Sequence, residues 1–185
     1  DTCSAPGGKT THLAALMKNT GYIVAGDIYE HKLQRIEENA ARLGINIIHP
    51  ELIDALTIGE VYPEKADRVL VDAPCSGLGV LRRKPDARWK NKAELLKTLP
   101  LLQTAILSSA SKAVKPGGIL VYSTCTIARE ENQAVVEAFL QNHPEYILEE
   151  TGSYLPLQKR EGAMVQLLPH LDGTDGFFIA RMKRK

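Results

Sequence analysis

The chain is poor in cysteine, in net charge and in long apolar runs. Its 185 residues hold only three cysteines, far apart, in no CxxC or Cys/His spacing. That argues against a disulfide framework and a structural metal site, and for a reducing, cytoplasmic compartment. The formal net charge is +1, so bulk attraction supplies little affinity for a polyanion. No apolar run approaches the about 20 residues that span a bilayer, and no secretory signal stands out; no membrane or metal partner is expected. Two phosphate-binding patterns are incomplete. Gly8-Lys9-Thr10 spells the end of a Walker A loop, but Cys3 stands where that pattern needs its first glycine. The dinucleotide fingerprint GxGxxG is absent.

What is present is an ordinary globular composition, 44% hydrophobic and 24% charged, in a chain long enough for one domain with a substantial core. There is no initiating methionine, and the strand that should precede the glycine turn at Pro6-Gly7-Gly8 is mostly missing before Asp1. The chain, residues 1–185, is therefore read as one catalytic domain of a longer protein. A monomer is expected.

Periodicity predicts alternating strands and helices. Asp1 to Ser4 reads as a strand tail and Lys9 to Lys18 as a helix with apolar Leu13, Ala14, Leu16 and Met17. Further strands are expected at 22–27, 46–53, 68–72 and 119–123, with closing strands at 146–149, 164–168 and 177–182. Helices are expected at 30–43, with Leu33, Ile36, Ala40 and Leu43 inward, at 91–114 and at 129–142. Leu102, Ala105, Ile106, Ser109 and Ala113 mark the apolar face of the long helix, with Pro100 near a start or break. Lys115-Pro116-Gly117-Gly118 reads as a turn and 151–162 as a loop. This alternation predicts an α/β fold with a doubly wound, mostly parallel sheet, whose ligands lie at the strand-end rim.

Three stretches carry chemistry. Asp72-Ala73-Pro74-Cys75-Ser76-Gly77 ends a short buried strand with a carboxylate, a rigid proline and a thiol. Tyr122-Ser123-Thr124-Cys125-Thr126 delivers a second thiol from another strand end. Asp1 to Thr10 is a glycine turn that opens a helix, and such a turn lets a ligand approach free backbone N–H groups. Asp27 ends the next strand about 20 positions on, the separation at which α/β nucleotide sites place a carboxylate on ribose hydroxyls; the alternative is a helix cap. Arg82, Arg83, Lys84 and Arg88 beside Trp89 are either a solvated face or a contact for an RNA backbone and an unstacked base. His31 is expected to face solvent and His49 to be structural.

The spellings DTCSAPGGKT, DAPCSGLGVLRRKPD and VYSTCTI, in this order, resemble the RNA cytosine-5 methyltransferases that use S-adenosylmethionine, and most of all the bacterial small-subunit ribosomal RNA methyltransferase B (Sun/Fmu) group. The resemblance runs to the closing GFFIARMKR. It implies a Rossmann-like class I methyltransferase fold with an antiparallel strand near the end, and an RNA-binding region upstream. It implies that Cys3, Ser4, Ala5, Pro6, Gly7, Gly8 and Lys9 hold the methionine end of S-adenosylmethionine, with Lys9 at its carboxylate; a solvated lysine is the alternative. Asp27 would take the ribose and Asp54 the adenine amine, unless Asp54 is only a turn residue. Cys125 would attack carbon 6 of cytosine, Cys75 would assist release, and Asp72 would hold the cytosine edge and also contact the cofactor. Cys3 is expected to pack rather than react. The implied partner is RNA, with 16S ribosomal RNA first, transfer RNA second and a non-catalytic cofactor- and RNA-binding module third. A phosphate-binding NTPase is the weakest reading.

Overall fold

The computed structural model describes residues 1–89, 92–155 and 162–185. The elements run α1 (Gly8–Leu16), β1 (Ile23–Asp27), α2 (Glu30–Arg42), β2 (Ile48–Leu52), α3 (Ile58–Val61), β3 (Ala66–Asp72), α4 (Lys92–Ala113), β4 (Val114–Thr124), α5 (Gln133–Asn142), β5 (Tyr146–Glu149), β6 (Met164–Leu167), α6 (Pro169–Asp172) and β7 (Phe177–Arg184). Short 3-10 turns lie at Leu78–Val80, Pro85–Trp89, Arg129–Glu131 and Gly152–Tyr154. Of the loop expected at 151–162, residues 156–161 lie outside the described part.

β1 pairs with β2, and β3 with β4, in parallel. Residues 1–4 bridge the two pairs. On one side the Gly26 N–H donates to the Asp1 carbonyl at 2.9 Å; on the other the Thr2 N–H donates to the Leu70 carbonyl at 3.0 Å. This is the expected strand tail. It brings the ends of β1, β2, β3 and β4 to one rim. The sheet then turns antiparallel: β4, β5 and β6 all pair with β7. The expected α/β fold with a parallel core and a late antiparallel strand is therefore observed.

Two apolar cores hold this arrangement. One joins β1 and β2 to α1 and α2 through Ala14, Ile23, Ala25, Leu33, Ile36 and Ala40. The larger joins β3, β4 and β7 to α3, α4 and α5, with Tyr122, Phe139 and Phe178 fully buried. Several details depart from expectation. Leu16 and Met17 are exposed because the last turn of α1 leaves the sheet, and Leu43 is exposed because it is the C-cap of α2. In α4 the buried face is Gln103, Ile106, Leu107 and Ala110, while Leu102 and Ala105 face outward. Pro100 lies inside α4 without ending it. Lys115 to Gly118 is a bulge within β4, across which the register jumps from Ala66/Val114 to Arg68/Ile119. His31 is exposed, and His49 stacks on Tyr22 with ring centroids 3.9 Å apart.

Candidate active site

The glycine turn is shaped by its inward contacts. Ser4 is buried, and its hydroxyl donates to the Gly26 carbonyl at 2.9 Å. The Ala5–Pro6 peptide is cis, and the Pro6 carbonyl accepts from Asn39 Nδ2 at 3.0 Å. Gly7 has φ 98°, and a Cβ there would lie 3.3 Å from the Ile36 backbone. A side chain would meet both a strained dihedral and α2. Gly8 opens α1, and a Cβ at that position would meet nothing within 4 Å. The first-turn N–H groups of α1 have no partner within the helix, an arrangement suited to an anionic group. Cys3 packs behind the turn, and burial pushes its thiol up to about 11; it stays protonated and inert.

Three carboxylates stand along the rim. Asp27 is buried; its Oδ1 accepts the Tyr29 N–H at 3.1 Å and lies 3.5 Å from Lys32 Nζ. Asp54 is exposed, and its Oδ1 accepts the Leu56 N–H at 2.9 Å. Asp54 therefore has the turn role considered above, whereas Asp27 does not cap α2, whose N-cap is Tyr29, but accepts that residue's N–H; each has a second oxygen available to a ligand. Asp72 ends β3. Its Oδ1 accepts from Ser123 Oγ at 2.8 Å and its Oδ2 from Lys9 Nζ at 2.7 Å. Lys9 thus joins the glycine turn to the carboxylate beside the thiols. It also lies over the Phe177 ring, 5.2 Å from its centroid.

The thiols meet at the same rim. Cys75 Sγ and Cys125 Sγ are 3.3 Å apart, both partly buried. They titrate as a pair, and the asymmetry follows from surroundings. A hydrogen bond from Cys75 is the largest influence on Cys125, with the Lys9 charge helping; burial and Asp72 oppose, and its thiol falls to about 7. Cys75 moves the other way, because it donates to Cys125, is buried and sits beside that negative charge. Cys125 is therefore the more acidic thiol of the pair and Cys75 the less acidic. A thiolate at neutral pH is a nucleophile.

Glu131 and Asn132, both fully buried, brace the two thiol loops from behind. Glu131 Oε1 accepts the Ser76 N–H at 2.8 Å and Gln103 Nε2 at 3.0 Å, and its Oε2 accepts Ser76 Oγ at 2.5 Å. A buried carboxylate with fewer donors would cost several kcal/mol, on the order of a whole domain's margin. The Ser76 hydroxyl lies 3.0 Å from Thr126 Oγ1. Asn132 accepts from Thr124 Oγ1 at 2.5 Å and donates to the Thr126 carbonyl at 3.1 Å. In the sequence, the spacing Cys125-x5-Glu131-Asn132 is the only signal for this pair.

A third loop closes on the same point. The Gly79 N–H donates to the Cys125 carbonyl at 3.0 Å, and the Gly176 N–H donates to the Gly79 carbonyl at 2.9 Å. A Cβ at Gly79 would lie 2.0 Å from the Gly176 oxygen, so only glycine fits. This contact anchors the basic segment. Arg82, Arg83 and Lys84 are exposed, and Arg82 and Arg83 both pair with Asp175. Trp89 is 89% exposed beside them in sequence. The Arg88 side chain lies outside the described part.

The family described as 16S rRNA methyltransferase RsmB/F matches residues 1–183. The chain belongs to this family. It is 47% identical to the probable ribosomal RNA small subunit methyltransferase B of Bacillus subtilis and 44% identical to that of Synechocystis, over all of this chain and 42% of each relative. The chain thus spans less than half the length of the curated relatives it matches. Among solved structures it is similar to NSun6 from Pyrococcus horikoshii with SFG, at TM-score 0.89 and 35% identity, over all of this chain and 47% of that one. It is also similar to a methyltransferase homolog protein from the same organism, at TM-score 0.80 and 36% identity, over all of this chain and 60% of that one. These likenesses carry the Rossmann-like methyltransferase fold. Among the described residues no helix is long and apolar enough to cross a membrane.

Proposed function

We propose that this chain is the catalytic domain of an S-adenosylmethionine-dependent RNA cytosine-5 methyltransferase, acting on 16S ribosomal RNA. The observation that carries the reading is the contact of Cys125 and Cys75 at 3.3 Å, beside Asp72 and the glycine turn. A lone reactive thiol would serve many chemistries. Two thiols with opposed protonation serve one that needs both a nucleophile and a proton carrier.

The donors and acceptors of the rim fit S-adenosylmethionine. The N–H groups at the start of α1 and the Lys9 ammonium suit its carboxylate. Asp27 suits ribose hydroxyls and Asp54 the adenine amine, each as a strand-end acceptor. When bound, S-adenosylmethionine supplies an electrophilic methyl group on a positively charged sulfur.

The chain's own residues do the rest. The Cys125 thiolate adds to carbon 6 of an unpaired cytosine, forming a carbon–sulfur bond and making carbon 5 nucleophilic. Asp72, as a carboxylate, accepts from the cytosine amine while Lys9 and Ser123 hold its orientation. Once Cys125 is bonded to carbon 6 it carries no negative charge. Two of the three causes that hold the Cys75 proton, the hydrogen bond and the adjacent charge, then vanish. Cys75, only partly buried, can then release its proton to solvent and take the one on carbon 5. The C–H electron pair re-forms the carbon 5–carbon 6 double bond, and the carbon–sulfur pair returns to Cys125 as its thiolate. Arg82, Arg83, Lys84 and Arg88 offer phosphate contacts, with Trp89 as a stacking surface.

The test is transfer of labelled methyl from S-adenosylmethionine to unmodified 16S ribosomal RNA by the full-length protein, followed by nucleoside analysis. The expected product is 5-methylcytidine. Label in another nucleoside refutes the cytosine-5 assignment. Label in transfer RNA but not in 16S ribosomal RNA replaces the substrate.

A further inference from the structure

Glu131 is a carboxylate with no access to solvent and no place in the chemistry described above. The hydrogen positions around it resolve in one direction. The Ala128 N–H donates to Thr126 Oγ1 at 3.2 Å, and Ser76 Oγ gives its one hydrogen to Glu131 Oε2, so the Thr126 hydroxyl is the donor of the Thr126–Ser76 pair. Its neighbour Ser76 Oγ, at 3.0 Å, accepts and in turn donates to Glu131 Oε2. The Ser76 N–H and Gln103 Nε2 complete the carboxylate at Oε1, and the same Gln103 nitrogen donates to the Pro74 carbonyl at 2.9 Å. Each link therefore starts one residue from a reactive thiol. Ser76 and Pro74 flank Cys75, and Thr126 follows Cys125.

We propose that Glu131 is a positioning residue that locks the Cys75 and Cys125 loops together, through Ser76, Gln103 and Thr126, so that the two sulfurs stay in hydrogen-bonding contact. The proposal rests on the roles given to the two thiols above. Sulfur–sulfur contact at 3.3 Å tolerates little movement, and hydrogen bonds lose strength steeply with distance and angle. Beyond the strand ends, where Asp72 sits beside Ser123, the two loops are tied directly by the bonds from the Ala73 N–H to the Ser123 carbonyl and from the Gly79 N–H to the Cys125 carbonyl; the Glu131 chain of bonds holds the stretch between them, where the thiols lie. Glutamine at this position presents an N–H where Ser76 or Gln103 needs an acceptor; with a merely structural role that mismatch costs stability alone, whereas with a positioning role it also displaces the thiols.

The experiment uses the full-length protein with Glu131→Gln and, as a second probe of the same chain of bonds, Thr126→Val. Three quantities are measured: the pH midpoint of Cys125 alkylation, kcat and KM for methyl transfer, and the melting temperature. The expected result is a Cys125 midpoint raised toward the ordinary thiol value and a kcat lowered about tenfold or more, as small misplacements of reacting groups cost, with KM for S-adenosylmethionine unchanged within about twofold. A lower melting temperature with midpoint and kcat unchanged overturns the proposal, since stability alone is then at stake. If Glu131→Gln does not fold, the Thr126→Val midpoint decides by the same criterion. The alkylation midpoint needs neither RNA nor cofactor. Should the wild-type protein methylate no RNA, the functional reading fails while the midpoint still judges this one.

Discussion

Replacing Cys75 by alanine should move the titration of Cys125 and reverse the order of reactivity between wild type and variant across the pH range. In the native site Cys125 falls from 9.0 to about 7, chiefly through the hydrogen bond from Cys75. Without that bond, burial and Asp72 push upward against Lys9 alone, and the midpoint should return to 9.0 or above. At pH 7 the thiolate fraction then drops from about one half to about one hundredth, roughly fiftyfold. The more basic thiolate is also the better nucleophile. With a Brønsted coefficient of about 0.45, two pKa units return about eightfold. The net result is alkylation of Cys125 about sixfold slower in the variant at pH 7, and several-fold faster at pH 10, where both thiols are ionised. The assay is iodoacetamide labelling from pH 5.5 to 10.5, with the modified cysteine located by mass spectrometry. Cys3 is partly buried, is pushed up to about 11, and should contribute little. A wild-type midpoint near 9, or a variant midpoint that stays near 7, would refute the claim that Cys75 sets the state of Cys125.

Lys9→Met should raise the Cys125 midpoint by less than Cys75→Ala, because its charge is a lesser cause; labelling at pH 7 orders the variants. Asp27→Asn and Asp54→Asn should weaken S-adenosylmethionine binding about ten- to hundredfold each, as a charged hydrogen bond of roughly 1.5–3 kcal/mol is lost, and calorimetry should show this without change in Cys125 labelling. Gly79→Ala should lower the melting temperature, since overpacking costs about 1–3 kcal/mol, and should reduce kcat by displacing the Cys125 carbonyl it binds. A Gly79→Ala protein with native melting and native kcat would show that the loop contact is soft.

The fold was legible wherever burial follows a simple period. Leu33, Ile36 and Ala40 mark the inward face of α2, and Val69 and Val71 the buried side of β3. The errors lie where polar residues take core positions. In α4, Gln103 is fully buried because it reaches Glu131 and the Pro74 carbonyl. The inward face is rotated accordingly, and Leu102 is left outside. Counting apolar residues cannot detect a buried glutamine whose partner is 28 positions away. The bulge at Lys115 to Gly118 reads as a turn because Pro-Gly-Gly is turn chemistry, yet Gly117 at φ 77° shifts register inside a strand instead.

At the site, the thiols, Asp72 and the glycine turn were visible as strand-end residues, and the fold brings them to one rim. Lys9 was assigned to a cofactor carboxylate; that it also bonds Asp72 depends on a contact 63 positions long. The pairing of Asp175 with Arg82 and Arg83 joins residues far apart in the sequence and leaves no local pattern. The Gly79–Gly176 contact was equally hidden, because close backbone approach between distant loops leaves no local pattern.

The most direct measurement is a search for a denaturation-resistant protein–RNA adduct. Full-length wild type, Cys75→Ala and Cys125→Ala proteins are each incubated with unmodified 16S ribosomal RNA and labelled S-adenosylmethionine, then resolved under denaturing conditions. With Cys125 attacking and Cys75 serving release, Cys75→Ala should accumulate adduct, slowly but persistently, and Cys125→Ala should form none. Adduct in Cys125→Ala and none in Cys75→Ala would contradict the account and make Cys75 the nucleophile.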